Sequence, residues 1–213
     1  MDKIKFSKRQ LDVIQAAIEL LDEKGYNELS LRDIAQKLGV KAPAIYWHFK
    51  NKALLIDYIA EYLLQQTLSE LKSRTDDETW QDWLRNHILL LRQAMLSCQD
   101  GGRIVAGAHL YPTITLAMLM ENALVSLRSA GIDMRHSRII VMATIHYTFG
   151  HVIEEQAGSE SLELNMPRDP FFFESFPNLF ELSDPTVTKE TLSDEAEFLA
   201  GLQLIIDGAD KEN

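Results

Sequence analysis

Side chains suited to nucleic-acid contacts are concentrated in residues 41–52, which read KAPAIYWHFKNK. Tyr46, Trp47 and His48 are consecutive, and lysines stand at both ends of the stretch. Tyrosine hydroxyls, imidazoles and lysines bind phosphates and base edges, and a small residue such as Ala44 can contact a thymine methyl. The composition of this stretch therefore indicates contact with DNA.

Two short predicted helices position these side chains. The first begins at Ser30, a good N-cap with Asp33 three residues later, and ends at Gly39. The second has Pro43 in its first turn and ends near Phe49. Two short helices joined by a tight turn containing glycine are the pattern of a helix-turn-helix. Such pairs also occur in proteins that do not bind DNA, so the composition of the second helix carries the prediction.

Apolar residues recur at helical spacing along most of the remaining sequence, which predicts an all-α protein. The eighth predicted helix is apolar on nearly all sides between Ile139 and Ile153 and must be buried by partners, within the chain or across an interface. Residues 158–191 are acidic and contain four prolines, which predicts a long loop with one short helix at most. The predicted helices cover residues 8–24, 31–38, 43–49, 52–72, 80–99, 101–110, 114–130, 134–157 and 194 onward. The first is predicted to begin with a capping box of Ser7 and Gln10 and to stop at Gly25, and Asn51 is the predicted N-cap of the fourth.

Composition excludes several classes of protein. The chain has 213 residues, 46% of them hydrophobic, which is enough for a packed core of one or two domains. A single cysteine, Cys98, permits no internal disulfide and suits a reducing compartment. The first residues contain no signal-peptide core, and no apolar run approaches the roughly 18 residues needed to cross a bilayer. We therefore expect a cytoplasmic protein with no membrane partner.

The charge is divided unequally along the chain. The net charge is −11, yet residues 1–52 carry +3 and the remainder carries −14. An acidic surface repels phosphate, whereas a small basic unit on a larger acidic body is a layout found in DNA regulators. This division favours a DNA-binding function for the N-terminal unit.

Several blocks of the sequence resemble the TetR family of bacterial repressors. The blocks in the N-terminal unit are Leu31-Arg32-Asp33-Ile34-Ala35, Leu38-Gly39-Val40 and residues 44–52, AIYWHFKNK. The similarity continues through Trp80, Leu84-Arg85-Asn86, Asp100-Gly101 and residues 146–154, HYTFGHVIE, which resemble the ligand-binding core of the tetracycline repressors. It covers nearly the whole chain, densely over residues 7–60 and loosely after that.

The resemblance implies an all-helical homodimer that binds palindromic double-stranded operator DNA and is released by a small-molecule inducer. Residues 1–52 would form the helix-turn-helix domain, helix 52–72 the connector, and residues 53–213 the ligand-binding and dimerisation domain, whose eighth and last helices would pair with their symmetry mates. The tetracycline repressors carry a base-reading glutamine at the position of Ala42, so a different operator is expected here. Carried over by position, the residues that contact the operator would be Ser30, Arg32, Lys41, Ala44, Tyr46, Trp47, His48 and Lys52.

The resemblance and the residue types together also give candidate ligand contacts. Glu154 matches a pocket glutamate of the family, and His87, with Asn86 beside it, aligns with the asparagine that receives the drug. Val105 and Leu68 stand where the tetracycline repressors carry pocket histidines, and apolar side chains cannot hold a hard cation. We therefore expect no required cofactor and no bound metal. The resemblance implies a drug or a tetracycline-like compound as the inducer, but the departure at these two positions argues against a magnesium-tetracycline chelate. The candidate ligand-binding residues are Asn86, His87, Val105, His109, His146, His151 and Glu154, each of which could instead be an ordinary core or surface residue.

Two other classes of function compete with a ligand-responsive regulator. His151, Glu154 and Glu155 could belong to a metal enzyme in a helical bundle, but the Glu-x-x-His pairs of di-iron bundles are missing, as are a nucleophile elbow and a P-loop. We therefore expect no enzymatic activity. The alternative that stays open is an architectural or constitutive DNA-binding regulator without a small-molecule inducer, for which the long acidic body of the chain would be larger than needed.

Overall fold

The computed structural model describes residues 4–161, Ser175 and residues 193–210, and in these residues the regular structure is entirely α-helical. The helices are α1 (Lys8–Glu28), α2 (Leu31–Lys37), α3 (Ala42–Tyr46), α4 (Lys52–Thr67), α5 (Trp80–Met95), α6 (Gly101–Ala106), α7 (Ile114–Ser129), α8 (Met134–Ser161) and α9 (Asp194–Asp210). The predicted all-α fold is confirmed.

Side-chain caps determine where several of these helices begin. Ser7 and Gln10 form a reciprocal capping box, with the Ser7 hydroxyl accepting from the Gln10 amide at 3.3 Å and Gln10 Oε1 accepting from the Ser7 amide at 2.9 Å. Asn51 Oδ1 accepts from the Leu54 amide at 2.8 Å and begins α4. The Ser30 hydroxyl accepts from the Asp33 amide at 3.2 Å and begins α2. These caps were all predicted from the sequence.

Two predicted helix ends in the N-terminal part of the chain were wrong, and a third was right in part. Gly25 breaks the helical geometry of α1 with φ 76° and ψ 172°, where the sequence predicted a stop, but a further helical piece follows this kink and ends at Glu28. Helix α3 ends at Tyr46 rather than near residue 49. Helix α4 ends at Thr67 rather than near residue 72, because Leu68 leaves helical geometry with φ −98° and ψ 25°.

Three predicted ends in the C-terminal part also differ. Helix α5 ends at Met95 rather than near residue 99. Helix α6 ends at Ala106 rather than near residue 110, and the Gly107 amide closes its last turn by donating to the Arg103 carbonyl at 3.0 Å. Helix α8 continues to Ser161, beyond residue 157. The predicted loop from there to residue 191 lies almost wholly outside the described residues.

Helix α4 lies between the two halves of the molecule. It packs against α1 on the N-terminal side and against α5, α6 and α7 on the other, while α8 packs against α5, α6, α7 and α9. The fully buried side chains of α4 include Leu55, Ile59 and Leu64, and Trp83 of α5 and Phe198 of α9 are buried farther along the chain. Helix α4 is therefore in contact both with the N-terminal helices and with the C-terminal body.

One strip of α8 is not covered by the described part of the chain. Val141, Ile145 and Val152 are buried, but Ile139 is 56% exposed and residues 146 and 150 are also exposed. On the neighbouring helix α9, Leu204 is 75% exposed. The segment predicted to be buried on all sides therefore has one face that the described residues leave open.

No described helix has the length and apolar character required to span a membrane.

Candidate nucleic-acid interface and ligand-binding residues

Helix α3 is held in place by two apolar side chains on its inner face. Ile45 is 2% exposed and Phe49, just after the helix, is fully buried. The Phe49 ring packs edge-on against Tyr58 of α4, with ring centroids 5.4 Å apart. The Gly39 turn before α3 has φ 64°, which favours glycine. Because residues 45 and 49 are one helical turn apart, they fix one face of α3 against the protein, and the opposite face is left to contact a partner.

The outer face of α3 exposes large aromatic side chains. Trp47 is 85% exposed and Tyr46 is 46% exposed. An isolated tryptophan with this exposure does not contribute to a core, so its position on a short helix favours a binding role. Of the residues predicted to contact the operator, the structure leaves Arg32, Lys41, Ala44, Tyr46 and Trp47 exposed and half-buries Ser30, His48 and Lys52.

The basic residues of the N-terminal unit differ in whether they form ion pairs. Lys37 is paired with Glu19 at 3.0 Å and with Glu23 at 2.7 Å, and these hydrogen bonds, chiefly the one to Glu23, raise the pKa of the Lys37 amine. In contrast, Arg32, Lys41 and Lys50 have no carboxylate partner within 4.0 Å in the described part of the chain. Unpaired exposed cations are the groups that attract DNA phosphates. The free positive charge of this unit therefore includes the residues that flank α3.

Two of the predicted operator contacts also have partners inside the protein. The Ser30 hydroxyl caps α2 and donates to Asp33 Oδ2 at 2.8 Å, which is the main reason that the pKa of Asp33 is lowered. Lys52 Nζ donates to the Tyr26 carbonyl at 2.6 Å and lies 4.8 Å from the centre of the Tyr26 ring. Burial lowers the pKa of Lys52. Both residues stabilise the local fold whatever else they bind.

The kink in α1 connects the N-terminal unit to the turn between α5 and α6. The Tyr26 amide donates to Asp100 Oδ2 at 2.7 Å, and the Gln99 amide donates to Asp22 Oδ1 at 3.0 Å. The Tyr26 ring also lies 5.1 Å from the Arg103 guanidinium. In the same turn, burial and the neighbouring acids raise the pKa of the Cys98 thiol to about 12. This turn therefore joins the two halves of the molecule at a second place besides α4.

Two buried carboxylates on α4 were not predicted from the sequence. Asp57 is 5% exposed and accepts from the His109 amide at 3.0 Å, while its other oxygen lies 3.1 Å from His109 Nδ1. Glu61, one turn later, is fully buried. One feature of the sequence could have indicated them: two acids stand four residues apart inside an otherwise apolar run. Because acids are almost never buried without a partner, two acids at such positions indicate that polar partners lie beside this helix. Asp57 connects α4 to the segment between α6 and α7, and Glu61 connects α4 to Thr115 in the first turn of α7.

The predicted ligand residues occupy different environments. Val105 is fully buried in the core, and His87 stacks on Trp83 with Nδ1 2.8 Å from the Trp83 carbonyl oxygen. Three of the others, Asn86, His146 and Glu154, are not buried, and His109 lies after α6 beside Asp57. These residues are spread over α5, α6, α8 and the loop after α6.

His151 is the predicted ligand residue with an unsatisfied polar atom. It is half-buried on α8, and its Nδ1 has no hydrogen-bond partner among the described residues. The nearest carboxylate to that nitrogen is Glu155, 3.7 Å away, which is itself held by Arg92 at 2.8 Å. The imidazole also lies edge-on to the ring of Phe198 of α9, with ring centroids 5.3 Å apart. This histidine therefore belongs to the contact between α8 and α9.

A hollow of about 800 Å³ lies beside the C-terminal half of α8. Its walls combine the α5–α6 turn, part of α8 and the start of α9, and the described lining includes none of the seven predicted ligand residues. Asp100 of the turn and Arg103 of α6 face it together with Glu155 of α8. Among the residues that the structure describes, no group of three or more histidine, cysteine or acidic side chains is arranged to hold a metal ion.

Comparison with protein families gives two adjacent matches. The model described as "Bacterial regulatory proteins, tetR family" matches residues 13–59, which include α2 and α3. The model described as "Tetracyclin repressor-like, C-terminal domain" matches residues 73–212. Together they span both the helix-turn-helix unit and the acidic body.

Individual proteins are similar over nearly the full length. The tetracycline repressor protein class C of Escherichia coli is 34% identical over 210 residues, covering 93% of this chain and 89% of that protein. The crystal structure of a TetR variant from Acinetobacter baumannii AYE in complex with minocycline superimposes with a TM-score of 0.73 at 31% identity, covering 97% of this chain and 98% of that one. BioQ bound to its double-stranded DNA operator superimposes with a TM-score of 0.64 at 26% identity, over 96% of this chain and 98% of that one.

Proposed function

The chain belongs to the TetR family of bacterial regulatory proteins, which are DNA-binding regulators and not enzymes, and we propose that it represses transcription as a homodimer released from a palindromic operator by a small-molecule inducer. The observation that carries the DNA-binding part is the outer face of α3, where Trp47 is 85% exposed among cations that no described carboxylate pairs. Its proposed operator contacts are Ser30, Arg32, Lys41, Ala44, Tyr46, Trp47, His48 and Lys52.

Dimerisation is supported by the uncovered strip of α8 and its neighbour α9. Ile139 and Leu204 are large apolar residues that are more than half exposed on these two helices. Pairing each helix with its symmetry mate would bury them in a four-helix interface. It would also place two copies of α3 about one DNA turn apart, roughly 34 Å, to match two half-sites.

The proposed inducer contacts are Asn86, His87, Val105, His109, His146, His151 and Glu154. They lie on α5, α6, α8 and the loop after α6. Helices α5, α6 and α8 pack against one another, and α5 and α6 also pack against α4. His146 and Glu154 are exposed on α8, the helix proposed to pair with a second copy, so the dimer rather than the single chain would complete the site. The apolar Val105 and Leu68 disfavour a magnesium-tetracycline chelate, and an inducer that needs no metal is proposed.

Release requires that the inducer prefer one conformation of the dimer. A ligand shifts an equilibrium only by its difference in affinity for the two forms. Helix α4 begins directly after the recognition segment, and Asp57 ties it to His109 at 3.0 Å. A ligand that moves the segment after α6 would therefore move α4 and change the distance between the two α3 helices.

The first test is a mobility shift on the intergenic DNA upstream of the protein's own gene. We expect a saturable, sequence-specific complex, with protection of two inverted half-sites in a footprint. The same titration with tetracycline plus magnesium and with a panel of lipophilic drugs identifies the inducer by release. Binding without release by any compound would favour the regulator without an inducer, and absence of specific binding would overturn the autoregulated repressor.

Tyr46→Ala tests whether the face of α3 reads the operator. Loss of a side chain at the DNA surface should lower operator affinity by about tenfold or more, because each good base or phosphate contact contributes roughly 1–3 kcal/mol. Tyr111→Ala is the matched control, since Tyr111 is 81% exposed on the loop after α6. The thermal midpoint of both variants should equal that of the wild type. Equal operator affinities for the two variants would remove Tyr46 from the contact surface.

A further inference from the structure

Glu61 is a buried carboxylate whose partners are all uncharged in the described part of the chain. It is fully buried on α4. Its Oε2 accepts from the Thr115 amide at 2.9 Å, and its Oε1 accepts from the Thr115 hydroxyl at 2.9 Å and from Gln65 Nε2 at 2.7 Å. Removing a carboxylate from water costs free energy unless hydrogen bonds compensate for the lost hydration. The three hydrogen bonds to Glu61 provide this compensation and hold α4 in a defined position against its neighbours.

Its main partner lies in the first turn of α7. The residue before that helix, Thr113, gives no side-chain cap, because its hydroxyl donates to the His109 carbonyl at 2.6 Å. The first amides of a helix lack internal partners, and a negative charge is favourable there. Glu61 therefore supplies from α4 the anionic cap that α7 lacks in its own sequence.

Gln65 extends this contact toward the N-terminus of the chain. Its side-chain amide donates both to Glu61 and to the Ile4 carbonyl, the latter at 3.0 Å. Phe6 packs edge-on against the rings of Tyr58 and Tyr62 on the same helix, with ring centroids 6.1 Å apart in each case. The side of α4 that carries these rings is therefore held by the N-terminal segment, and Glu61 holds the helix to α7.

We propose that Glu61 is a positioning residue that fixes the angle of α4 against α7 and thereby sets the half-site spacing that the dimer accepts. The proposal rests on the proposed function as an operator-binding dimer. Glu61 lies nine residues after the start of α4, roughly 14 Å along the helix axis. A rotation of α4 about this contact would displace its N-terminal end, and α3 immediately before it, across the DNA surface.

The test measures affinity for a set of synthetic operators. The two half-sites found by footprinting are kept, and their centre-to-centre spacing is native, one base pair shorter or one base pair longer. Two variants weaken the contact: Glu61→Gln keeps the shape but replaces one acceptor oxygen by an amide that cannot accept, and Thr115→Val removes only the hydroxyl. Thr115→Ser keeps both donors and is the matched control.

We expect the wild type and Thr115→Ser to prefer the native spacing equally. Glu61→Gln should reduce the preference for native over altered spacing by about tenfold, and Thr115→Val should change it in the same direction by a smaller factor, since spacing is read through the geometry of the dimer. A merely structural role would lower affinity for all three operators by one common factor, and that result would overturn the proposal.

The proposed function and the role of Glu61 fail separately. A wild-type protein that binds none of the operators overturns the proposed function and this inference with it. A wild type that binds with a clear spacing preference, shared unchanged by both weakening variants, overturns only the role of Glu61. If Glu61→Gln does not fold, Thr115→Val, which deletes a single hydroxyl contact, still decides the question.

Discussion

The ammonium of Lys52 is held against the protein rather than left free in solvent. It donates to the Tyr26 carbonyl at 2.6 Å and lies over the Tyr26 ring, at the point where α1 meets the start of α4. Replacement by alanine leaves that carbonyl without its donor, so Lys52→Ala should lower the free energy of unfolding by about 1 kcal/mol in urea denaturation. Lys50→Ala, an exposed neighbour of equal charge, should leave it unchanged. Equal effects of the two substitutions would contradict a stabilising role for the Lys52 contact.

Residue types in sequence predict exposure better than they predict burial. The aromatic and basic residues around α3 could be assigned to the surface because a five-residue helix can bury only one face, and Ile45 and Phe49 occupy that face. Asp57 and Glu61 could not be placed, because the partners that make their burial tolerable, His109 and Thr115, are more than 50 residues away in sequence. Hydrogen bonds between distant segments leave no local pattern.

At the scale of the element, caps were easier to predict than ends. An N-cap is read from one side chain and the amides three residues later, as with Ser7 and Asn51. A helix end depends on what the following residues pack against. Gly25 breaks α1 as its residue type predicts, but the short helical piece after the kink could not be predicted, because the Tyr26 amide at its start donates to Asp100, far away in sequence. The apolar pattern of α4 continued to residue 71 although the helix had already ended at residue 67.

The close packing of α9 on α8 depends on one glycine. A Cβ on Gly201 would overlap the hydroxyl of Tyr147, which donates to the Phe198 carbonyl at 3.1 Å. Gly201→Ala should therefore lower the free energy of unfolding by roughly 1–3 kcal/mol through overpacking. Gly208→Ala, on the same helix with no described atom within 4 Å of the added carbon, should be neutral or slightly stabilising. Thermal or urea unfolding of both variants measures the difference, and equal stabilities would contradict the close approach.

At the scale of the whole molecule, the charge division predicted the arrangement of functions more readily than the ligand residues did. Residues 1–52 have a net charge of +3 and the remaining residues a net charge of −14. These sums are taken over long segments, so an error in any single predicted helix boundary changes them little. A ligand site depends instead on side chains from several elements meeting within a few ångströms. Val105 is buried in the core while His146 and Glu154 face outward on α8, so candidates could be named from the sequence but not arranged in space.

The proposed assembly can be tested at its most exposed apolar side chain. Leu204 is 75% exposed on α9, the helix that packs on α8 with its exposed Ile139, and burial of both in a dimer would remove large apolar surfaces from water. Leu204→Glu would instead place a carboxylate from each subunit in that interface. The dimer dissociation constant in sedimentation equilibrium should therefore rise by at least about tenfold.

Val125→Glu is the control that separates interface disruption from added charge. Val125 is 51% exposed on α7, outside the strip on α8 and α9, so this variant carries the same charge change on a surface that the proposed dimer leaves free. It should sediment as the wild type does and keep its operator affinity. The Leu204→Glu protein should lose operator affinity together with the dimer, because a single α3 contacts only one half-site. If it stays dimeric at the wild-type dissociation constant, the exposed face of α8 and α9 is not the interface, and another surface must set the spacing of the recognition helices.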